Sequence, residues 1–391
     1  MRKLITGGRL MLPEGCAGEK GLLLENGRIL DILTPAQMEA LEPGLPRVDA
    51  EGYTVCPGFI DLHVHGGGGY ELNRSPAGDI VRLCAAHARH GTTSILPTTL
   101  AASVTDLMHA IEAVREAQRQ SSACNILGIH LEGPFLSQAQ SGAQNPEYLI
   151  APTPENYLPL LNAWDGIRMM GVAVEREGAL RLGDELKSRG ITASIAHSDA
   201  TFEQAEAALA HGYSDVTHLY SGCSTVRRIN AYRVAGLVEA GLYFDGLSVQ
   251  IIADGKHLPP SLLRLILKAK GAGRISLVTD GLSHAATSLQ EGALITQANG
   301  IPMLYEDGVF KLPDRQAFAG SAATMDRLVR NMVQLAGASL EDAVRMASST
   351  PARVIGEKHK GELRPGMDAD LVFLDEALQV GPVYVGGERT F

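Results

Sequence analysis

Two histidines, His63 and His65, are separated by one valine and run into four glycines in the stretch GFIDLHVHGGGG. Side chains at positions i and i+2 of a strand face the same side, so both imidazoles can reach one point if the segment is extended. Imidazole is a common ligand of zinc and related divalent metals. The pair alone leaves two interpretations open, a metal site or two ordinary histidines before a turn, because the chain contains 12 histidines.

Further candidate ligands and acid–base groups follow apolar runs later in the chain. The segment GIHLEGP contains His130 and Glu132, which face the same side of a strand, so either one is a possible ligand. AHSD contains His197, THLY contains His218, and LVTDG contains Asp280. Singly, each of these has an ordinary packing or turn role as its simpler explanation. Together they indicate a divalent metal that polarises a carbonyl group and lowers the pKa of a bound water.

The elements that must position these residues follow a repeating pattern. After about Phe59, short apolar runs alternate with helical patterns, which is typical of βα units around a parallel sheet. Helices are predicted over 79–90, 201–212 and 261–271. The predicted strands cover 58–63, 93–97, 126–132, 167–174, 191–197, 214–219, 248–253 and 275–280. These eight units predict an α/β fold, a (β/α)8 TIM barrel with its functional groups at the carboxyl ends of the strands.

Both ends of the chain have a different pattern. Short apolar runs there are separated by Gly, Pro and Asn-Gly turns, and Asn26-Gly27 predicts a hairpin. We therefore expect residues 1–57 and 357–391 to form one small β-sandwich domain. The barrel, residues 58–356, is inserted between its two halves.

Composition narrows the class of protein. The net charge of the 391 residues is −10, which excludes a nucleic-acid backbone as the expected partner because such binding needs clustered Lys and Arg. Five scattered cysteines without a CxxC pair are typical of a reducing compartment. No secretory h-region or membrane-length apolar segment is evident, so we expect a cytoplasmic protein that acts on a small molecule without a membrane.

An ordered set of motifs resembles the amidohydrolase superfamily, and more narrowly the N-acetylglucosamine-6-phosphate deacetylase family. The set is PGFIDLHVHG, GIHLEGPFL, AHSDAT, THLY, IIADGKH, LVTDG and AGSAATM, and the resemblance runs from about residue 20 to the C-terminus. It implies a distorted (β/α)8 barrel, a β-sandwich built from both chain ends, and a homodimer. It also implies metal-dependent hydrolysis of an N-acetyl group on an amino-sugar phosphate.

The resemblance assigns roles to individual residues. Asp280 is the expected general base and acid, which activates the water and then protonates the leaving amine. One or two divalent ions are expected, with zinc as the first choice and iron or manganese as alternatives. The implied metal ligands are His63, His65, Glu132, His197 and His218, with the first two holding a second ion where one is present.

The substrate pocket departs from the family pattern. Gln144 stands where the family commonly has a substrate-contacting His, and Ser221-Gly222-Cys223 replaces Asn-Ala-Met. The family's Arg-Glu-Pro-Gly becomes the sequence RVAG at 233–236, with Arg227 and Arg228 upstream as candidate phosphate ligands, within one chain or across a dimer interface. The expected substrate contacts are His257, Gln144, Ser221, Gly222, Arg228 and the backbone at Ala319.

Other functions stay open at this stage. A related enzyme could act on a different, unphosphorylated N-acyl substrate or on a cyclic amide. Cyclic-amide hydrolases of the superfamily typically use a lysine at the end of the fourth strand, and IRMMGVAVE contains none. Deaminases lack the Glu-Gly-Pro signature, and a non-catalytic scaffold would not need Asp280 together with every ligand.

Overall fold

A parallel barrel of eight strands forms the centre of the computed structural model, which describes residues 2–391. The first and eighth strands meet beyond the end of the eighth, where Val64 forms a parallel bridge with Gly281. Neighbouring strands pair in parallel in chain order. The strands, first to eighth, are Phe59–Val64, Thr92–Thr99, Ile129–Glu132, Ile167–Val172, Thr192–Ile195, Tyr213–Val216, Ser248–Ile251 and Ile275–Leu277. The predicted fold class is confirmed.

Helices surround the barrel and cover its apolar outer face. The predicted capping sequence at Thr201 is present, because its hydroxyl accepts from the Gln204 N–H. The helices are Pro35–Glu39, Ala77–Ala88, Val104–Gln120, Pro154–Leu161, Ala179–Ser188, Phe202–Ala210, Leu237–Tyr243, Pro260–Lys270, Met325–Asn331, Leu340–Ala347 and Ser349–Val354. Shorter helical turns cover Gln138–Gln140, Pro146–Tyr148, Ala272–Arg274 and, as a π-helix, Met332–Ala336. In residues 2–391 no helix is long and apolar enough to cross a bilayer.

The two ends of the chain form two further sheets. Strand Leu371–Leu374 pairs antiparallel with Thr54–Pro57, so the last part of the chain completes a sheet begun by the first. This six-stranded sheet has the order Glu388–Arg389, Val380–Val385, Leu371–Leu374, Thr54–Pro57, Arg9–Leu12, Gly15–Ala17. The other has the order Arg28–Leu33, Gly21–Glu25, Arg2–Thr6, Arg47–Asp49, and Asn26-Gly27 forms its predicted hairpin turn. The boundaries at 57/58 and 356/357 stay a proposal.

Two features differ from the predicted elements. The predicted strand 126–132 is divided into Asn125–Ile126 and Ile129–Glu132 by Gly128, whose φ is +141° and where a Cβ atom would lie 2.2 Å from the Gly166 carbonyl oxygen. A three-stranded sheet of Leu294–Thr296, Pro302–Glu306 and Val309–Lys311 follows the eighth barrel strand and was not predicted. Asp307-Gly308, a strong hairpin signal between two apolar runs, would have identified its second turn.

Candidate active site

The polar residues that follow the barrel strands meet at one end of the barrel. His63 lies in the first strand and Glu132 ends the third. His197, His218 and Asp280 follow the fifth, sixth and eighth strands with φ values of +43°, +27° and +47°. Non-glycine residues rarely adopt this left-handed region, and such strain is concentrated at functional sites. The backbone therefore turns at three strand ends in a way that places side chains over the barrel mouth.

Glu132 lies between two pairs of histidines. Its Oε1 atom is 3.1 Å from His197 Nε2 and 2.9 Å from His218 Nε2. Its Oε2 atom is 3.5 Å from His63 Nε2 and 3.3 Å from His65 Nε2. The carboxylate side chain is 1% exposed, so its charge has almost no solvent to stabilise it. Its ionised form therefore depends on cationic or hydrogen-bonding partners in the protein.

Asp280 faces the same cluster from the eighth strand. Its Oδ1 atom lies 3.2 Å from His65 Nε2 and 3.5 Å from His63 Nε2. The Nε2 atoms of His63 and His65 are 3.1 Å apart. Asp280 also lines the cavity described below. Its carboxylate therefore contacts the histidines and can also reach a molecule bound in the cavity.

The histidine tautomers fit a metal ion. Carbonyl oxygens only accept hydrogen bonds, so a ring nitrogen beside one must donate, and in the neutral ring the opposite nitrogen keeps its lone pair. Nδ1 atoms of four histidines have such partners: His63 with Gln250 Oε1 at 3.4 Å, His65 with Thr98 O at 3.0 Å, His197 with Gln140 O at 2.7 Å and His218 with Ser221 O at 3.0 Å. The Nε2 lone pairs therefore converge with carboxylate oxygens, and this donor set suits a divalent cation.

Two overlapping groups of donors satisfy the spacing of a metal site. His63, His65 and Asp280 form one group, and His63, Glu132 and His218 form the other, each with ligand atoms within 4.8 Å of one another. His197 joins the second group through Glu132 Oε1. The cluster can therefore hold one ion or two.

Charges within the cluster shift the pKa values in opposite directions. Burial lowers the pKa of His65, but without a metal ion the hydrogen bonds and charges of Asp280 and Glu132 outweigh it and raise that pKa to about 10, so a bound metal would displace the Nε2 proton. Burial raises the pKa of Glu132, yet His63 and His197 hold it well below its usual value. The pKa of Asp280 is also lowered, because the histidines outweigh its burial. Both carboxylates are therefore ionised at neutral pH.

His130 does not join the cluster. Its Nδ1 atom donates to the Leu62 carbonyl at 3.0 Å, and its ring packs edge-on against His63 with centroids 4.8 Å apart. Burial, followed by the His63 charge, lowers its pKa well below the usual value. Of the two residues that the sequence left open, the structure places Glu132 in the donor set and His130 one layer deeper as packing for His63.

A cavity of about 230 Å³ opens beside the cluster. Arg228 is not among the described residues that line it, because it lies in the strand Arg227–Ile229 of an exposed hairpin. Five predicted substrate contacts do line the cavity: Gln144, Ser221, Gly222, His257 and Ala319. Leu100, Tyr220, Leu282, Gln297 and Phe318 also line it and were not predicted.

His257 is held by a partner that sequence reasoning missed. Its Nδ1 atom lies 2.7 Å from Asp254 Oδ2, while Asp254 Oδ1 accepts the N–H groups of Lys256 and His257 at 2.8 and 2.9 Å. The i, i+3 spacing in ADGKH was the available signal. The Phe318 ring lies against His257 with centroids 4.6 Å apart, and no sequence pattern pointed to that contact.

Comparison with known proteins identifies similar chains along the full length. The Amidohydrolase family model matches residues 54–390. N-acetylgalactosamine-6-phosphate deacetylase of Escherichia coli O157:H7 is 31% identical over 99% of this chain and 99% of its own. N-acetylglucosamine-6-phosphate deacetylase of Danio rerio is 33% identical over 92% of this chain and 90% of its own.

Solved structures agree with this similarity. The crystal structure of N-acetylglucosamine-6-phosphate deacetylase from Pasteurella multocida has a TM-score of 0.92 at 29% identity, covering 100% of this chain and 99% of that one. A mutant of the Mycobacterium smegmatis enzyme in complex with N-acetyl-D-glucosamine-6-phosphate has a TM-score of 0.87 at 30% identity, with 100% and 99% covered. The similarity includes the barrel and both terminal sheets.

Proposed function

Because this chain belongs to the amidohydrolase family, and within it to the N-acetylglucosamine-6-phosphate deacetylases, we propose that it hydrolyses the N-acetyl amide of an N-acetylhexosamine 6-phosphate. The observation that carries this function is Glu132 between four histidine Nε2 atoms, with Asp280 against the same histidines and open to the cavity. Relatives named for the glucosamine and the galactosamine substrate are about equally similar, so both epimers are candidates.

The metal ligands are His63, His65, Glu132, His197 and His218. These residues would hold a divalent cation, zinc first and iron or manganese as alternatives, which would polarise the amide carbonyl and lower the pKa of a water. Asp280, ionised and next to His65, accepts a proton from the attacking water as its oxygen bonds to the carbonyl carbon. It then donates that proton to the amide nitrogen as the carbon–nitrogen bond breaks. The products are acetate and the free hexosamine phosphate.

His257 and the backbone at Ala319 position the substrate. Asp254 holds the His257 ring through Nδ1, so that His257 faces the cavity and contacts an oxygen of the substrate there. Burial raises the pKa of Asp254, but the hydrogen bond and charge of His257 outweigh burial and lower it. Asp254 therefore remains an acceptor for His257.

The phosphate pocket departs most from the family pattern. In our proposal the Gly222 N–H at the cavity wall supplies its backbone donor, because the Ser221 N–H donates to the His218 carbonyl at 2.9 Å. Arg227 is bound to Asp199 at 2.5 Å, whereas Arg228 lies on an exposed hairpin. We assign Arg228 to the site of a partner copy, which makes the enzyme a homodimer. All five cysteines are free thiols, which supports a cytoplasmic location.

The alternative is hydrolysis of an unphosphorylated N-acyl compound or of a cyclic amide by the same barrel. The fourth strand, Ile167–Val172, contains no lysine, and Glu132 occupies the position between the histidines. These two observations disfavour a cyclic-amide hydrolase.

A hydrolysis screen tests the proposal. Acetate release by the zinc-loaded protein is measured with N-acetylglucosamine, N-acetylgalactosamine and the 6-phosphate of each. We expect turnover of at least one phosphate ester, and a kcat about 10²–10⁴-fold lower for D280N when the two proteins are compared at equal zinc content. Hydrolysis confined to the unphosphorylated sugars contradicts the substrate assignment, and full activity of metal-loaded D280N contradicts the mechanism.

A further inference from the structure

We infer that Gln144 is a positioning residue, which fixes the orientation of the Glu132 carboxylate for metal binding. Gln144 is 3% exposed and lies in the loop between the third strand and the turn Pro146–Tyr148. Its Nε2 atom lies 2.6 Å from Glu132 Oε2. The inference depends on the metal ligands of the proposed function and is independent of which sugar is the substrate.

The direction of the Gln144 amide is determined by its other neighbour. The Ala101 backbone N–H lies 2.7 Å from the Gln144 oxygen, and an N–H can only donate. The oxygen must therefore face Ala101 and the NH₂ group must face Glu132. The oxygen and the NH₂ group of the amide are both hydrogen-bonded. Gln144 therefore links Ala101, which follows the second barrel strand, to Glu132.

Glu132 requires such a constraint because its two carboxylate oxygens face two different pairs of histidines. Oε1 faces His197 and His218, whereas Oε2 faces His63 and His65. The terminal torsion of a glutamate is broad, so local backbone geometry alone does not fix the carboxylate plane. A short hydrogen bond from a side chain that is itself anchored selects one plane and leaves the remaining lone pairs for cations.

The loop that carries Gln144 is anchored in turn. The Gln144 N–H donates to Ser141 O at 2.9 Å. Asn299, in the turn between the first two strands of the three-stranded sheet, donates to Ala143 O at 3.0 Å and accepts from Asn145 at 3.2 Å through its own carbonyl. The three-stranded sheet thus supports the orientation of Glu132 through this loop. An amide also carries no titrating proton, so its donor is present at every working pH.

Competition for Zn²⁺ against a chromogenic chelator tests the inference on the full-length protein. Q144M has a similar size and lacks the N–H donor. We expect the zinc dissociation constant of Q144M to rise about 10–100-fold, as is common when an outer partner of a metal ligand is lost. Q144N is a second variant, since it keeps an amide that is one methylene too short to reach both Ala101 and Glu132, and we expect a loss of similar size.

Q297M is the matched control. Gln297 is also a buried amide that lines the same cavity, and its NH₂ group lies 3.4 Å from Ala319 O rather than near a metal ligand. We expect wild-type zinc affinity for Q297M. Melting of the metal-free proteins, followed by circular dichroism, identifies any loss that is due to misfolding.

The possible results distinguish a failure of the positioning role of Gln144 from a failure of the proposed function. Equal zinc affinity of the wild type, Q144M and Q144N overturns the positioning role and leaves the proposed function intact. A loss in Q297M as large as that in Q144M also overturns it, because any buried amide would then be equivalent. If the wild type itself binds no zinc, iron or manganese, the proposed function fails first.

Discussion

At the scale of single residues, the site is organised by groups that fix the proton position on each imidazole. Backbone carbonyls hold the Nδ1–H groups of His65, His197 and His218, and the carboxylate of Asp254 does the same for His257. A carboxylate differs from a carbonyl because it also stabilises the imidazolium. The partner of each ring therefore distinguishes the metal ligands from the histidine that positions the substrate.

The substitution D254N tests this distinction. The side-chain oxygen of the asparagine in this variant must accept from the backbone N–H groups of Lys256 and His257, as Asp254 Oδ1 does in the wild type. Its NH₂ group then faces the His257 ring, and the negative charge of the carboxylate is lost. A hydrogen bond to a charged group contributes about 1.5–3 kcal/mol, so we expect kcat/KM to fall by about 10–100-fold. Steady-state kinetics with the phosphate ester measure the fall, and metal content should stay at the wild-type value. Unchanged kcat/KM would show that His257 works without a charged partner.

At the scale of elements, the glycines after His65 allow close packing of three segments. A Cβ atom at Gly66 would lie 2.5 Å from the Ser283 backbone nitrogen, and one at Gly67 would lie 2.5 Å from His87 Nε2. His87, on the helix Ala77–Ala88, donates to the Gly66 carbonyl at 2.9 Å. The first strand end, the helix and the loop after the eighth strand are thereby packed against one another, and this keeps His65 in place.

His87 should also make folding stability depend on pH. Burial lowers its pKa to about 4. Between this value and the ordinary value of about 6.5 the unfolded chain binds a proton that the folded chain does not, so stability is lost as the pH falls through that window. Between pH 7 and pH 5 this contributes a loss of about 2 kcal/mol.

We expect the free energy of unfolding of H87Q to fall by about 2 kcal/mol less than that of the wild type over this pH range, because glutamine can donate to Gly66 without titrating. Denaturant unfolding at each pH, followed by circular dichroism, gives the difference. H109Q, on the exposed face of the helix Val104–Gln120, should retain the wild-type pH dependence. Identical slopes for H87Q and the wild type would rule out this linkage.

At the scale of the whole molecule, the hairpin of the strands Arg227–Ile229 and Tyr232–Val234 exposes apolar side chains. Tyr232 is 78% exposed, and Ile229, which is 43% exposed, pairs with it across the hairpin. Arg228 lies on that hairpin too. A second copy of the chain packed on this hairpin would cover Tyr232 and Ile229 and bring Arg228 to a phosphate, as our proposal requires.

Analytical ultracentrifugation of Y232D tests the homodimer. We expect a dimer for the wild type and a monomer for Y232D, because the introduced carboxylate would be buried without a partner. R228A should remain a dimer but show a KM raised by about 10-fold or more for the phosphate ester. L265D carries the same change at an exposed leucine of the helix Pro260–Lys270 and should remain dimeric. A dimeric Y232D places the interface elsewhere.

The sequence by itself determined the order and positions of the barrel strands. Apolar runs and their polar ends are local patterns, because alternation and capping depend on residues a few positions apart. The same local rule put His63 and His65 on one face, and both reach the cluster. The Asn26-Gly27 hairpin followed from two residues alone.

Tertiary structure decided which of the polar residues at the strand ends meet in the histidine–carboxylate cluster. Alternation gave His130 and Glu132 the same face, but the pairing of His130 with Thr98 leaves it deep in the barrel while Glu132 reaches the mouth. The contact between Gln144 and Glu132 and the distance of Arg228 from the cavity depend on loops whose course is set by distant partners such as Asn299. Strand stagger and long-range loop anchoring have no local signature, so only the folded chain reveals them.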